Sequence, residues 1–372
     1  MIRTPLQADL LNVESHTNLG PSERAEWQAF LAVAQHQHPR QDPRFGSVEQ
    51  ADGRSVIYVT GRDSTGTLRA VGLFSLKRYP FVPGAFIYAT CLSGPICDNA
   101  EMLVSFLEGV RRLPAFSRVG RLRATSFWTE EDADRLAQIF SARGWVIDEA
   151  EPMRQTGWVD LTPSADDIFA AFSKSARREL RRAERQGIAV RPLTQLSEAA
   201  EFLASLNRLR TGRGLSPIAE PGFLTAFQSM YADGDIGVIL GAFLGDQFVS
   251  GLQLYRSRDV AHGRHFSLES ELLHGLSNLR ISPLVWYQGM IWARERGCSA
   301  LDVEGWRATV QETDYGYGID KYKGEFAPVP VRRIAEHGQT VNRFIDTVTN
   351  AGRHLRKPLR AVVRRLRGKK AV

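Results

Sequence analysis

The sequence predicts an α/β (α+β) protein with two tandem units built on mixed central sheets and a basic helical tail. Three observations lead to this. A chain of 372 residues exceeds one ordinary hydrophobic core, so about two domains are expected. Strand-like and helix-like segments alternate through the first half, and the alternation recurs in the second. Charge is uneven: residues 332–372 carry twelve Lys or Arg against two acids, Glu336 and Asp346, a net of +10, while the remainder sums to −3. These shifts set the expected boundaries at 1–157, 158–331 and 332–372.

In the first unit, residues 54–60 and 68–76 are β-rich runs joined by the hairpin-like Asp63-Ser64-Thr65-Gly66, and 86–90 is a third strand. Helical spacing follows over 101–113, with Leu103, Phe106, Leu107 and Val110 on one face. A strand at 121–125, a helix at 129–142 and a strand at 145–148 complete the unit. In the second, 158–161 is a strand, and Ser164-Ala165-Asp166-Asp167 opens one long helix over 166–186. Helices are expected at 196–211 and 220–231, and a hairpin of 238–244 and 248–256 turns at Gly245-Asp246-Gln247. A strand at 261–267, a helix at 279–297 with Gly297 as its C-cap, and a strand at 299–303 follow. Hairpin, strand, helix, strand is the core order of an acetyltransferase-like α/β unit.

Composition narrows the class. Hydrophobic residues make 43% and charged residues 24% of the chain, the balance of a soluble globular protein. The longest nearly uncharged apolar run, 236–245, is about half a bilayer span and reads as a buried strand. No apolar segment follows Met1-Ile2-Arg3-Thr4-Pro5, so a cytoplasmic protein is expected. Cys91, Cys97 and Cys298 are odd in number and unpatterned, which suits buried thiols rather than disulfides or zinc. His36, His38, His262 and His265 show no metal spacing and are expected on the surface or in packing.

Three segments then carry a resemblance. The first is Phe172 to Ile188, an Arg-rich helix ended by Gly187 and a strand. The second is Trp286 to Asp302, with Trp286, helix, Gly297 and Asp302 in order. The third is Gly318-Ile319-Asp320-Lys321-Tyr322-Lys323-Gly324-Glu325-Phe326. Tyr88 to Ile96, containing Gly94-Pro95, adds a fourth. Over roughly residues 27–331 the chain resembles the FemABX family, with Tyr322 replacing the usual Phe of the signature. The stretch between Gly187 and Asp235 is too short for the coiled-coil arm of some members. The resemblance implies two tandem GNAT-like acyltransferase domains and transfer of an amino acid from aminoacyl-tRNA to a free amine of a peptidoglycan precursor. The implied partners are aminoacyl-tRNA and a nucleotide- or lipid-linked muropeptide, with no metal or redox cofactor. An acyl-CoA-dependent N-acyltransferase acting on an amino sugar or amino acid is the alternative, and a non-catalytic tRNA- or membrane-binding duplicate the second.

The resemblance also implies a role for Lys323, the lysine of the signature: a cation beside the carbonyl stabilises the oxyanion of the transition state. Asp302 and Glu304 alternate in a strand-like run and are expected to share a face that receives the incoming ammonium or its proton. Asp320 and Tyr322 flank Lys323 as substrate-binding candidates. Arg177 and Arg181, one helical turn apart, are candidates for phosphate contact, as are Arg210 and Arg213. Their pentad Arg210-Thr211-Gly212-Arg213-Gly214 lacks the spacing of a pyrophosphate loop, and Glu269 and Glu271 in the loop 268–278 would repel coenzyme A. In the tail, Arg356, Arg360, Arg364 and Arg365 surround an apolar stripe and are expected to contact anionic lipid or RNA.

Overall fold

The computed structural model describes residues 11–349 apart from 81, 149–154, 233, 270, 271, 273, 274, 276–278 and 315. The first unit runs β1 (Asn12–His16), α1 (Pro21–Val33), α2 (Arg44–Ala51), β2 (Ser55–Arg62), β3 (Leu68–Arg78), β4 (Phe86–Cys91), β5 (Ile96–Cys97), α3 (Ala100–Arg112), β6 (Val119–Ala124), α4 (Glu130–Ala142) and β7 (Val146–Ile147). The second comprises β8 (Gln155–Asp160), α5 (Ala165–Ala171), α6 (Lys174–Arg185), β9 (Ile188–Pro192), α7 (Leu196–Gly212), α8 (Glu220–Ala226), β10 (Gly237–Leu244), β11 (Gln247–Arg256), β12 (Val260–Leu268), α9 (Ser282–Glu295), β13 (Ala300–Asp302), α10 (Tyr317–Gly324) and β14 (Val329–Arg332). The chain then adds β15 (His337–Thr340).

The sheets are β1-β2-β3-β4-β6-β15-β7, with β5 on β3, and β14-β8-β13-β12-β11-β10-β9. Each is antiparallel except for one parallel pair, β4 with β6 and β12 with β13. The expected mixed α/β architecture of two tandem units is therefore present. α3 packs Leu103, Val104, Phe106, Leu107 and Val110 into the first core; α9 packs Val285, Trp286, Met290 and Ala293 into the second. Cys91, Cys97 and Cys298 are free and buried.

Three boundaries differ from expectation. The long helix over 166–186 is two: Phe172 leaves the helical conformation, and Ser173 caps α6 by accepting from the Ala176 amide at 3.1 Å. The serine supplies the acceptor that a helix N-terminus lacks. The stripe Ile168, Phe172, Ala176, Leu180 and Ala183 is buried as read. The first boundary falls inside β8, which pairs wholly in the second sheet. The tail does not begin at 332. Arg332 pairs with Glu130 and Asp134 of α4 at 3.3 and 2.8 Å, and β15 pairs with both β6 and β7. Arg332 thus closes β14 of the second sheet, and residues 337–340 belong to the first. Arg356, Arg360, Arg364 and Arg365 lie outside the described residues.

The units meet where Phe45 and Val48 of the first pack with Phe223 and Phe227 of the second, and through specific polar and ring contacts. The Gly222 amide donates to Asp52 Oδ1 at 2.8 Å, and a Cβ at Gly222 would stand 2.4 Å from that carboxylate. His38 packs its ring on Tyr255 and His262, at 5.3 and 4.9 Å between centroids. Among the described residues, no helix is long and apolar enough to cross a membrane.

Candidate active site

The second sheet opens where its parallel pair ends. β12 pairs with β13 only at Val260↔Ala300, Ala261↔Leu301 and His262↔Asp302. β13 stops there, while β12 continues to Leu268 with no strand of the described residues on that side. A cavity of about 330 Å³ occupies this side of β12, walled by α7, α9 and α10. Gly263, Arg264, His265 and Phe266 all line it. Consecutive residues of a regular strand face opposite ways. Here Gln253 pairs with His265 and Leu254 with Gly263, so Arg264 is extra and the alternation breaks. Gly263 is needed beside it: a Cβ would meet the Trp286 ring at 2.4 Å.

Lys323 stands on the cavity wall in α10. Its Nζ donates to the Glu304 carbonyl and, at 3.3 Å, to the Gly305 carbonyl. Glu304 and Gly305 both take left-handed backbone, with φ of 46° and 58°. Two such residues in succession curl the chain and turn both carbonyls onto the lysine. For Glu304 this conformation costs about 1–2 kcal/mol, a strain placed at the site. An ammonium has three hydrogens, so one remains for the cavity. Burial draws the Lys323 pKa below its ordinary value, and the carboxylates of Glu304, Asp302 and Asp320 oppose that shift.

Tyr322, Arg210 and Arg213 line the same cavity as Lys323. Tyr322 packs edge-on against Phe326, with centroids 5.1 Å apart. Burial drives its hydroxyl pKa far up, so the phenol stays neutral. Arg210 Nε donates to the Ser216 carbonyl at 2.8 Å, which fixes the loop beyond α7.

The remaining candidates are placed elsewhere. Asp302 is fully buried. Its Oδ1 accepts from Thr156 Oγ1 at 2.5 Å and from the Glu304 amide at 2.7 Å. Oδ2 faces His262 Nδ1 at 3.7 Å, and His262 Nε2 meets Ser257 Oγ at 2.8 Å. Burial alone would raise the Asp302 pKa; His262 and Thr156 bring it below the usual value. Asp302 therefore holds the turn in place and cannot receive substrate. Glu304 does not share its face, because the strand ends at 302 and the left-handed turn intervenes. Its carboxylate accepts from Tyr255 at 3.1 Å and Arg264 at 3.2 Å. Asp320 is buried and bound to Arg307 at 2.7 Å, which makes it a structural anion. Arg177 Nη1 donates to the Ala170 carbonyl at 2.8 Å, and Arg181 lies over the Phe169 ring at 5.1 Å. Neither lines the cavity. Arg178 and Arg182 pair with the buried Glu179, at 3.1 and 3.5 Å.

His265 and Arg264 were missed as site residues. Burial, then the charges of Arg264, Arg40 and Arg210, hold the His265 imidazole well below its usual pKa, so it is a neutral base at pH 7. Gly263 was the available signal, since a glycine inside a strand marks a bulge or a close approach. Among the described residues, no group of three His, Cys, Asp or Glu could hold a metal.

The three segments that carry the sequence resemblance meet at one point. Phe326 of the third is fully buried, with Phe172 of the first at 5.1 Å and Trp286 of the second at 5.7 Å between centroids. Arg280 ties Glu325 to Ser175, at 2.6 and 3.5 Å.

Comparison with known proteins bears on the fold. Residues 170–324 match the acetyltransferase (GNAT) domain model, a span that contains every residue lining the cavity. Among solved structures, FemX is similar over 90% of this chain and 99% of its own, with a TM-score of 0.74 at 13% identity. L-PGS from Bacillus licheniformis is similar over 88% and 96%, with a TM-score of 0.53 at 13% identity. A conserved protein of unknown function from Bacteroides thetaiotaomicron covers 89% and 99%, with a TM-score of 0.55 at 9% identity. No curated protein matches the sequence. With an acetyltransferase (GNAT) domain in its second unit and the fold of FemX along 90% of its length, the chain has the fold of the FemABX family that its sequence resembles.

Proposed function

We propose that the chain is an acyltransferase of the aminoacyl-transferring kind. It moves an amino acid from aminoacyl-tRNA to a free amine of a nucleotide- or lipid-linked peptidoglycan precursor, in the cytoplasm. The observation that carries the acyl-transfer reading is Lys323, held by two backbone carbonyls on the wall of the open sheet with one ammonium hydrogen left over. Attack of an amine nitrogen on an ester carbonyl forms the C–N bond and places negative charge on the carbonyl oxygen. A fixed cation there stabilises the transition state more than the ground state. His265 takes the proton released by the attacking amine and returns it to the oxygen of the carrier as the ester C–O bond breaks. Arg210 and Arg213 at the cavity suit the phosphates of the carrier. The basic face of α6 and the basic C-terminal residues are the proposed contacts for tRNA or an anionic membrane surface.

A second reading, with an acyl thioester as donor, is favoured by the match to an acetyltransferase domain. One experiment separates them. The full chain is incubated with a muropeptide precursor, charged total tRNA and a mixed acyl-CoA pool, and the muropeptide is weighed by mass spectrometry. A residue-sized gain abolished by RNase supports the aminoacyl-tRNA donor. A gain that survives RNase and needs the thioester moves the enzyme to the second reading. No gain with either donor overturns the proposed acceptor.

A further inference from the structure

The cavity beside Lys323 has a composition that selects among acyl groups. Leu206 and Leu209 of α7, Phe266 of β12 and Trp286 of α9 line it. Leu215 and Ile319 line it too, at 45% and 43% exposed. Only eight large apolar residues are exposed among the described ones, and these two line one cavity. Exposed apolar surface gathered at a concave site marks a place where an apolar ligand is covered.

The charges are equally one-sided. Arg210, Arg213, Arg264 and Lys323 line the cavity, and no described lining residue is Asp or Glu. Of the two carboxylates that flank the wall residue Val303, Asp302 is buried on the Thr156 hydroxyl and the Glu304 amide, and Glu304 is turned onto Arg264 and Tyr255. A cationic side chain on the acyl group would find no counter-charge there, and burying it would be costly. A glycyl or acetyl group would leave most of the 330 Å³ unfilled.

We propose that the transferred group is bulky and apolar, with the surrounding cations meeting the phosphates of its carrier. This rests on the acyl-transfer reading and narrows it. The same chemistry is offered by an aminoacyl-tRNA with a large apolar side chain and by a medium-chain acyl thioester.

Binding tests the inference without requiring transfer. The full chain is titrated with 3′-aminoacylamido adenosines bearing phenylalanyl, leucyl, glycyl or lysyl groups, and with hexanoyl- and acetyl-CoA. Calorimetry is used, with tryptophan emission, to which the wall residue Trp286 contributes, as a second readout. The expected result is phenylalanyl and leucyl binding on the order of 10²-fold tighter than glycyl and lysyl, because each methylene in an apolar pocket is worth roughly 10-fold or more. A thioester source instead gives hexanoyl over acetyl by a similar ratio. Ile319→Asp, at an exposed position, should remove about 10-fold of the preference while leaving the melting temperature unchanged. Equal binding within each series, or no binding by either, overturns the proposal. Selective binding without amide product would instead overturn the transfer reading and leave the cavity's preference standing.

Discussion

At the scale of the residue, the site divides into side chains that face the cavity and side chains that hold those in place. Lys323→Met removes the cation at the carbonyl and should lower kcat by on the order of 10²–10³, with KM little changed, in a steady-state assay. Asp302→Ala should act differently. It strips a buried acceptor from the Thr156 hydroxyl and the Glu304 amide and should cost about 1–3 kcal/mol in urea denaturation. The pH profile follows from two directions. His265 is held below its usual pKa, so the acid limb of kcat should lie below pH 6.5 and disappear in His265→Gln. Lys323 is lowered too, so the alkaline limb should fall below the ordinary lysine value. The sequence made Lys323, Tyr322, Arg210 and Arg213 legible because a motif and a broken phosphate loop marked them. It misplaced Glu304 because strand alternation was extended past residue 302, where a left-handed turn intervenes. It passed over His265 because a bulge sets neighbouring residues on one face, which no period-two pattern announces.

At the scale of the element, strands with strong β-branched or aromatic runs were legible to within a few residues. β2, β3, β4, β10, β11 and β12 fall where the alternation put them. The break between α5 and α6 was not, because the apolar stripe continues across it and only the Ser173 cap reveals it. β14 and β15 were missed because each is only four residues long and is interrupted, by Pro330 in Val329-Pro330-Val331-Arg332 and by Gly338 in His337-Gly338-Gln339-Thr340; tertiary pairing makes them strands. Their pairing gives a sharp expectation. Deleting 332–372 removes β15 together with the buried Ile334 and Ala335 and should yield insoluble or molten protein. Deleting 351–372 leaves every contact described above and should not change the thermal midpoint. Circular dichroism on the two truncations decides it.

At the scale of the whole molecule, two units with two sheets were legible from the repeated order of elements. Their seam was not, since Asp52 with Gly222 and His38 with His262 are pairs far apart in sequence that no local pattern links. The seam carries a pH dependence. Burial, reinforced by His262 and nearby arginines, holds the His38 pKa well below 6.5. The unfolded chain therefore binds a proton near pH 6.5 that the folded protein refuses. The stability His38 contributes is complete above that pH and is lost as pH falls below it. His38→Gln should flatten that decline by up to about 1.4 kcal/mol per pH unit, read from denaturation midpoints between pH 7 and pH 5.

The position of β15 between β6 and β7 also fixes an order of events during synthesis. Everything needed for the second sheet has emerged by residue 332, whereas the first sheet, begun more than three hundred residues earlier, still has a gap. β6 waits with an open edge and β7 with no strand to join until residues 337–340 emerge. A nascent chain of this protein would thus complete its later half first, with the unpaired β6 edge exposed to neighbouring chains in the meantime.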